Sequence, residues 1–237
     1  IMEIIMRNPR FFVSFDISSD RIEIHDVDIV HQIVRVLRMR DGQELILCNG
    51  DGNDVRVWIL GSTKDIVTVE VIGREKNKNE SVNNVVLYCS ILKRENFEWV
   101  AQKATEIGVK EIVPLVTQHT VKLDLKEERL KKIIQEAAEQ SGRSVLPRLQ
   151  IPMGFEQAVH EAKLNGITLF FDVSGKEFDK KLIKKEQKAN IFIGPEGGWS
   201  KEELEAARRN KVIFVSLGRL TLRAETAAIV GTYLVAQ

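Results

Sequence analysis

Ile193-Gly194-Pro195-Glu196-Gly197-Gly198-Trp199-Ser200 is the stretch on which the fold turns. The run before it, 189–194, has the length and apolarity of a buried strand, and Ser200-Lys201-Glu202-Glu203 after it is a capping box that opens a helix. Three glycines around a proline let the backbone approach a ligand at the carboxyl end of a strand, where open α/β sheets bind their ligands. A tight turn that needs positive φ is the other reading, and the spacing alone leaves both open.

Outward from this turn, strands and helices alternate. Strand candidates at 85–92, 111–117, 167–173, 189–194 and 212–218 are separated by amphipathic segments. Phe97, Val100, Ala101 and Ala104 share a face of 96–107, and Leu130, Ile133, Ile134, Ala137 and Ala138 share one of 125–141. Such alternation specifies an α/β layer with a largely parallel sheet. Gly108 is placed to stop the first helix and Asp124 to cap the second. A second unusual turn, 217–222, again follows a strand end and leads to Arg223-Ala224-Glu225. Arg223 and Glu225 fall in the first turn of an otherwise apolar helix, where the dipole does not favour an Arg. A local ion pair between them is the simplest account. The segment 223–237 is poor in charge and is expected to be buried, against a second subunit.

The polar, Asn-rich stretch 73–84 reads as a linker, giving domains 1–78 and 79–237. Before it, short β-rich runs at 11–13, 44–47, 55–60 and 66–72 are separated by Asp41-Gly42, Asn49-Gly50-Asp51-Gly52 and Gly61-Ser62, which predicts a small β-barrel or sandwich. Val27, Val30, Ile33, Val34 and Leu37 recur at helical spacing across 27–40, with His31, Arg35 and Arg38 on other faces.

Composition removes several classes. The 237 residues carry 35 Lys and Arg against 34 Asp and Glu, with 43% hydrophobic and 29% charged, the profile of a soluble globular protein. Cys48 and Cys89 lie far apart with no CxxC or His cluster beside them, so neither a disulfide scaffold nor a zinc ribbon is expected, and a reducing cytoplasm is the natural compartment. No apolar run approaches the roughly 18 to 20 residues needed to cross a bilayer. The apolar start, 1–6, carries an acid and lacks a basic n-region, which does not fit a signal peptide and suggests an uncertain translation start. There is no GxGxxG after the first strand, no Walker loop, no GxSxG and no HExxH.

The two late turns taken together, IGPEGGWSKEE at 193–203 and LGRLTLRAETAA at 217–228, resemble the paired signature of the SPOUT methyltransferases, and specifically of the 16S ribosomal RNA (uracil-N3)-methyltransferase family. Arg10-Phe11-Phe12-Val13, His31 with 34–39, Gln102-Lys103-Ala104-Thr105-Glu106-Ile107-Gly108-Val109 and Glu139-Gln140-Ser141-Gly142-Arg143 agree with it, so the resemblance is essentially full length. It implies a PUA-like β-barrel for RNA at 1–78, an α/β domain at 79–237 whose end threads into a trefoil knot, and a homodimer formed through that knot. It further implies S-adenosylmethionine as methyl donor. Ile193, Gly194, Pro195, Glu196, Gly197 and Gly198 on one turn and Leu217, Gly218, Leu220, Thr221 and Leu222 on the other would wrap the donor, with 170–175, Phe171 among them, closing the third side and Thr226 completing the site. No metal is implied.

N3 of uridine carries an imide proton and is a poor nucleophile until that proton leaves, so the reaction needs charge stabilised over N3, O2 and O4. A guanidinium stays charged and offers a planar set of donors, which makes Arg223 the candidate; Glu225 would orient it or help remove the proton, orientation being favoured. For RNA the candidates are Arg7, Arg10, His31, Arg35, Arg38 and Arg40, with Lys122 and Arg143 from the second domain. The first domain itself, with 11 basic and 13 acidic residues, offers no broad attraction, and scattered arginines are often a solvated face. Three Arg with a His on one short helix favour RNA. Arg143 equally suits a helix C-terminus. His25 and His160 read as surface or packing residues, and Trp58, Trp99 and Trp199 as core or loop anchors.

The sequence departs from similar ones at Leu220, commonly basic, at Thr221, commonly Ile or Val, and at Gln118-His119, often Glu-Arg. A non-catalytic RNA-binding or ribosome-assembly factor on the same fold, and a methyltransferase acting on a ribose 2′-OH of tRNA or rRNA, are the competing functions.

Overall fold

The computed structural model describes residues 8–120, 124–184 and 187–237. Contacts divide the chain into two units, Ile1–Glu80 with Ala138–Val145, and Ser81–Ala137 with Leu146–Gln237.

In the first unit, β1 (Arg10–Phe12), β2 (Arg21–Ile24), β3 (Glu44–Cys48), β4 (Asn53–Ser62) and β5 (Val67–Lys76) form a five-stranded sheet in the order β1-β3-β4-β5-β2. Only β1 and β3 pair in parallel. Alternate residues turn Ile22, Ile24, Leu45, Leu47, Val55, Val57, Val67 and Val69 into one core. α1 (Val27–His31) starts at Asp26, whose side chain accepts from the Asp28 and Ile29 amides, and runs directly into a π-helical turn, Gln32–Val36. Ile29, Val30 and Ile33 enter the core, whereas Val27 is 80% and Leu37 47% exposed. The expected apolar stripe is corrected at both ends: Val27 precedes the packed turn, and the wider π turn rotates Leu37 off the 3.6-residue face.

A buried polar cluster ties 138–145 into this unit. The Arg10 guanidinium grips Asp54 and reaches Ser144 Oγ at 2.6 Å and Cys48 Sγ at 2.8 Å. Asn77 Nδ2 donates to both Asp54 oxygens, at 3.1 and 3.0 Å, and to the Gly142 carbonyl at 3.0 Å. The expected linker is therefore shorter and less solvated than its composition suggested. Residues 73–76 belong to β5, and Asn77 and Asn83 are buried.

In the second unit, β6 (Asn84–Ser90), β7 (Glu111–Val116), β8 (Arg148–Leu149), β10 (Ile167–Glu177), β11 (Lys188–Ile193) and β12 (Ile213–Ser216) run in the order β12-β10-β11-β6-β7-β8, with β9 (Met153–Gly154) also on β7. Every pair is parallel. Both faces must then be covered. α2 (Arg94–Ile107), the start of α3 (Glu127–Ser141) and α6 (Ala224–Ala236) contribute Phe97, Val100, Leu130, Ile134, Ala228 and Val235 to one core. α4 (Phe155–Leu164) and α5 (Lys201–Arg209) contribute Phe155, Val159, Ala206 and Ala207 to the other. Gly108 ends α2 at φ 108, and Ser200 and Glu203 make both halves of the capping box on α5, as the sequence predicts. Asp124 is a correction: Leu130 N bonds to the Lys126 carbonyl, so α3 begins at Glu127, three residues after the expected cap. α4 and the two-residue strands β8 and β9 were not anticipated.

Candidate active site

Because β6, β10, β11 and β12 pair in parallel, their carboxyl ends lie on one side of the sheet. The loops leaving these strands enclose a cleft of about 640 Å³, within the roughly 300–1,000 Å³ that small-molecule sites occupy.

Three turns shape it. After β11, a Cβ on Gly194 would stand 2.9 Å from the Trp199 ring, so glycine lets that ring close over the backbone. Trp199 is fixed in turn by its Nε1 donating to the Phe171 carbonyl at 3.3 Å and by Phe170, 4.5 Å away between centroids. Gly198 holds φ +72, and its carbonyl accepts from His119 Nδ1 at 2.8 Å. Along β10 the register slips, with Phe171 and Lys176 both facing Val215 of β12, and the intervening residues bring Asp172 and Val173 to the cleft. After β12, Gly218 takes φ +109 and the chain passes through Leu220, Thr221 and Leu222 to α6.

Phe171, Ile193, Gly194, Pro195, Glu196, Gly198, Leu217, Gly218, Leu220, Thr221 and Leu222 line this one cleft with Arg223 and Glu225. Gly197 and Thr226 do not line it; Gly197 backs onto His119, where a Cβ would stand 3.3 Å from that residue's own Cβ. Arg223 is exposed and occupies the N-cap position of α6, with extended backbone, rather than its first turn. Glu225 is 5% exposed, and among the described residues its Oε2 has no hydrogen-bond partner. No ion pair joins it to Arg223 there, which corrects the simple ion-pair account. Burial pushes the Cys89 thiol far above its ordinary value, and the carboxylates of Glu196 and Glu225 push it the same way, so it stays protonated.

Sequence reasoning missed Lys93 and Asn96, which also line the cleft. Lys93 is the N-cap of α2, on the loop that leaves β6. Its signal was positional, a cation just past a strand's carboxyl end.

The RNA candidates separate. His31 at the end of α1, Arg35 on the π turn and Arg38 just past it are exposed, with Arg38 at φ +52. Arg7 and Lys122 lie outside the described residues. Arg10 and Arg143 are corrections: both guanidiniums are buried within the first unit, Arg10 on Asp54 and Arg143 on Glu80 at 2.9 Å, so neither is free to meet a phosphate. Trp58 and Trp99, expected as anchors, are 45% and 47% exposed. Among the described residues no cluster of His, Cys, Asp and Glu is arranged to hold a metal, and no helix is long and apolar enough to cross a membrane.

Fold and cleft define the class: a two-part α/β protein with a glycine-built ligand site at the carboxyl ends of a parallel sheet, preceded by a small, mostly antiparallel β unit. An RNA methyltransferase domain model matches residues 78–236, and an RNA methyltransferase PUA domain model matches residues 26–72. Ribosomal RNA small subunit methyltransferase E of Bacillus subtilis is 31% identical over 214 residues, 84% of each chain. A Legionella pneumophila methyltransferase solved with bound S-adenosylmethionine superposes with TM-score 0.86 at 30% identity over 97% of both chains. Ribosomal RNA small subunit methyltransferase E of Neisseria gonorrhoeae, solved with the same molecule, gives 0.85 at 26% identity over 95% of both. The chain belongs to the RNA methyltransferase family with a PUA domain, the family of the small-subunit ribosomal RNA methyltransferases E.

Proposed function

We propose that this protein transfers a methyl group from S-adenosylmethionine to N3 of one uridine in 16S ribosomal RNA of the small subunit, in the cytoplasm. The observation that carries the reading is the convergence of the two glycine turns, Arg223 and Glu225 on one cleft large enough for a nucleoside ligand. The donor fits the residues present: Gly198, with nothing within 4 Å of where a Cβ would stand, leaves the backbone open to it, and Leu217, Leu220 and Leu222 would give it an apolar wall. When bound it supplies an already activated methyl group on sulfur.

The chain's own part is to position the reactants and stabilise charge. Arg223 from α6 and Lys93 from α2 face the cleft from different elements, and as an anionic pyrimidine forms they hold the charge that spreads to O2 and O4. The first unit holds RNA, with His31, Arg35 and Arg38 meeting phosphates and Arg7 as a further cation of that unit, while Lys122 is a separate phosphate contact from the second unit. Threading of the chain end into a trefoil knot is supported by the placement of β10 between β11 and β12 and by the return of 217–222 to the same cleft. A homodimer through the second unit is supported by Val230 and Tyr233 on α6 and Trp99 on α2, apolar side chains left 36%, 55% and 47% exposed.

Nucleoside mass spectrometry of small-subunit RNA from a strain lacking the protein tests the reading. 3-Methyluridine should vanish and return with the wild-type chain; its persistence without the protein overturns the assignment. Arg223→Ala should restore about 10²- to 10³-fold less methyl transfer per enzyme in vitro while leaving donor affinity by calorimetry nearly unchanged. No heat of binding with S-adenosylmethionine at all would favour a non-catalytic RNA-binding protein.

A further inference from the structure

The turn after β11 is held by a side chain that is not itself part of the cleft lining. His119, on the loop that leaves β7, donates from Nδ1 to the Gly198 carbonyl at 2.8 Å. A carbonyl oxygen only accepts, so Nδ1 carries the proton. The same side chain lies against Gly197, where a Cβ would stand 3.3 Å from the His119 Cβ and 3.5 Å from its Cγ and Nδ1. Gly197 does not take a positive φ, so what glycine supplies there is room for the imidazole. The loop that carries His119 is itself fixed. The Thr117 amide donates to Thr120 Oγ1 at 2.9 Å, the Thr120 amide to the Thr117 carbonyl at 3.1 Å, and the Gln118 amide to Glu203 Oε1 on the cap of α5 at 2.9 Å.

We propose that His119 is a positioning residue for the methyl donor, holding the backbone of Gly197, Gly198 and Trp199 in the form that binds it, an inference that rests on reading the cleft as an S-adenosylmethionine site. Gly198 and Trp199 both line the cleft. The peptide between them is trans, so its carbonyl and its N–H point in opposite directions. With the carbonyl bonded to His119, the Trp199 N–H is turned away from His119, and the peptide cannot rotate without breaking that bond. Gly198 is where rotation would otherwise be easiest, at φ +72 with nothing within 4 Å of where a Cβ would stand. A hydrogen bond from a fixed loop removes this freedom before the donor arrives, so less backbone entropy is lost on binding. Because His119 acts through the turn, its effect falls on donor affinity and not on the methyl-transfer step.

Full-length wild type, H119A, H119L and H119N are titrated with S-adenosylmethionine by calorimetry and assayed on a small-subunit RNA fragment. Asn carries its Nδ2 donor where the imidazole carries Nδ1, two bonds beyond Cβ, and Leu has nearly the same shape with no donor. H119A and H119L should bind S-adenosylmethionine about five- to tenfold more weakly, the scale of one net hydrogen bond. Their KM for it should rise in step, with kcat at saturating donor within about twofold of wild type. H119N should return the affinity to within about twofold of wild type. A second readout needs no donor: with Trp58, Trp99 and Trp199 the only tryptophans, ¹⁵N-tryptophan labelling follows each backbone amide. The Trp199 amide signal should move in H119A and H119L and return in H119N, while unmoved Trp58 and Trp99 signals show that the fold is intact. Wild-type affinity in H119L, equal weakness of H119N and H119L, or a fall in kcat with KM unchanged would overturn the proposal. No heat of binding with the wild type would instead overturn the reading of the cleft itself.

Discussion

At the scale of single residues, two buried groups show how position changes the meaning of a side chain. Arg10 is one of several arginines when read along the chain, but its side chain is 5% exposed and its guanidinium is bonded to Asp54. Desolvation alone would raise Asp54; hydrogen bonds from Arg10, Ser144 and Asn77 outweigh it and hold the carboxyl below its ordinary 3.8. A group whose native value is depressed contributes its stability in full above that ordinary value and loses it as pH falls through the native one. Asp54→Asn should therefore lower unfolding free energy at pH 7 by about 3–5 kcal/mol, because Arg10 is left buried and unpaired. Urea titrations below pH 4 should show the gap between variant and wild type closing. Gly194 makes the complementary case, since any side chain there meets Trp199. Gly194→Ala should displace the ring and weaken S-adenosylmethionine binding by about tenfold, from an overpacking cost of about 1–3 kcal/mol, read by calorimetry.

At the scale of elements, local signals were reliable where the local interaction is the whole cause. Ser200 accepts from the Glu203 amide at 3.1 Å while the Glu203 carboxylate accepts from the Ser200 amide at 2.8 Å, and four consecutive letters announce it. Glu203 Oε1 also accepts from the Gln118 amide at 2.9 Å, so this cap braces a neighbouring loop as well as its own helix. Ser200→Ala should cost about 1 kcal/mol and show as a lower thermal midpoint with cofactor-free protein. Where a register or helix type changes midway, the letters gave no warning. The π turn at Gln32–Val36 and the slip of β10 between Phe171 and Lys176 are both settled by what packs behind them, in the latter case Val215, whose backbone lies 2.5 Å from where a Gly175 Cβ would be.

At the scale of the whole molecule, α6 carries no charged side chain after Glu225, yet Val230 and Tyr233 face outward. Tyr233→Glu should shift a dimer toward monomer in sedimentation velocity at micromolar concentration without lowering helix content; an unchanged sedimentation coefficient would remove α6 from the proposed interface. The α/β alternation, the β-rich front unit and most site-lining residues were legible because hydrophobic period and glycine-rich turns are local properties. Lys93 was not, since it lies a hundred residues from the 193–200 turn and meets it only through the pairing of β6 with β11. Nor could composition separate Arg10 and Arg143 from the exposed Arg35 and Arg38. The chain alone determined the alternation of strands and helices, the two glycine-rich turns and the cap on α5. Tertiary structure decided which charges are buried in pairs and which carboxylate is left without a partner, because burial and pairing depend on residues far apart in sequence.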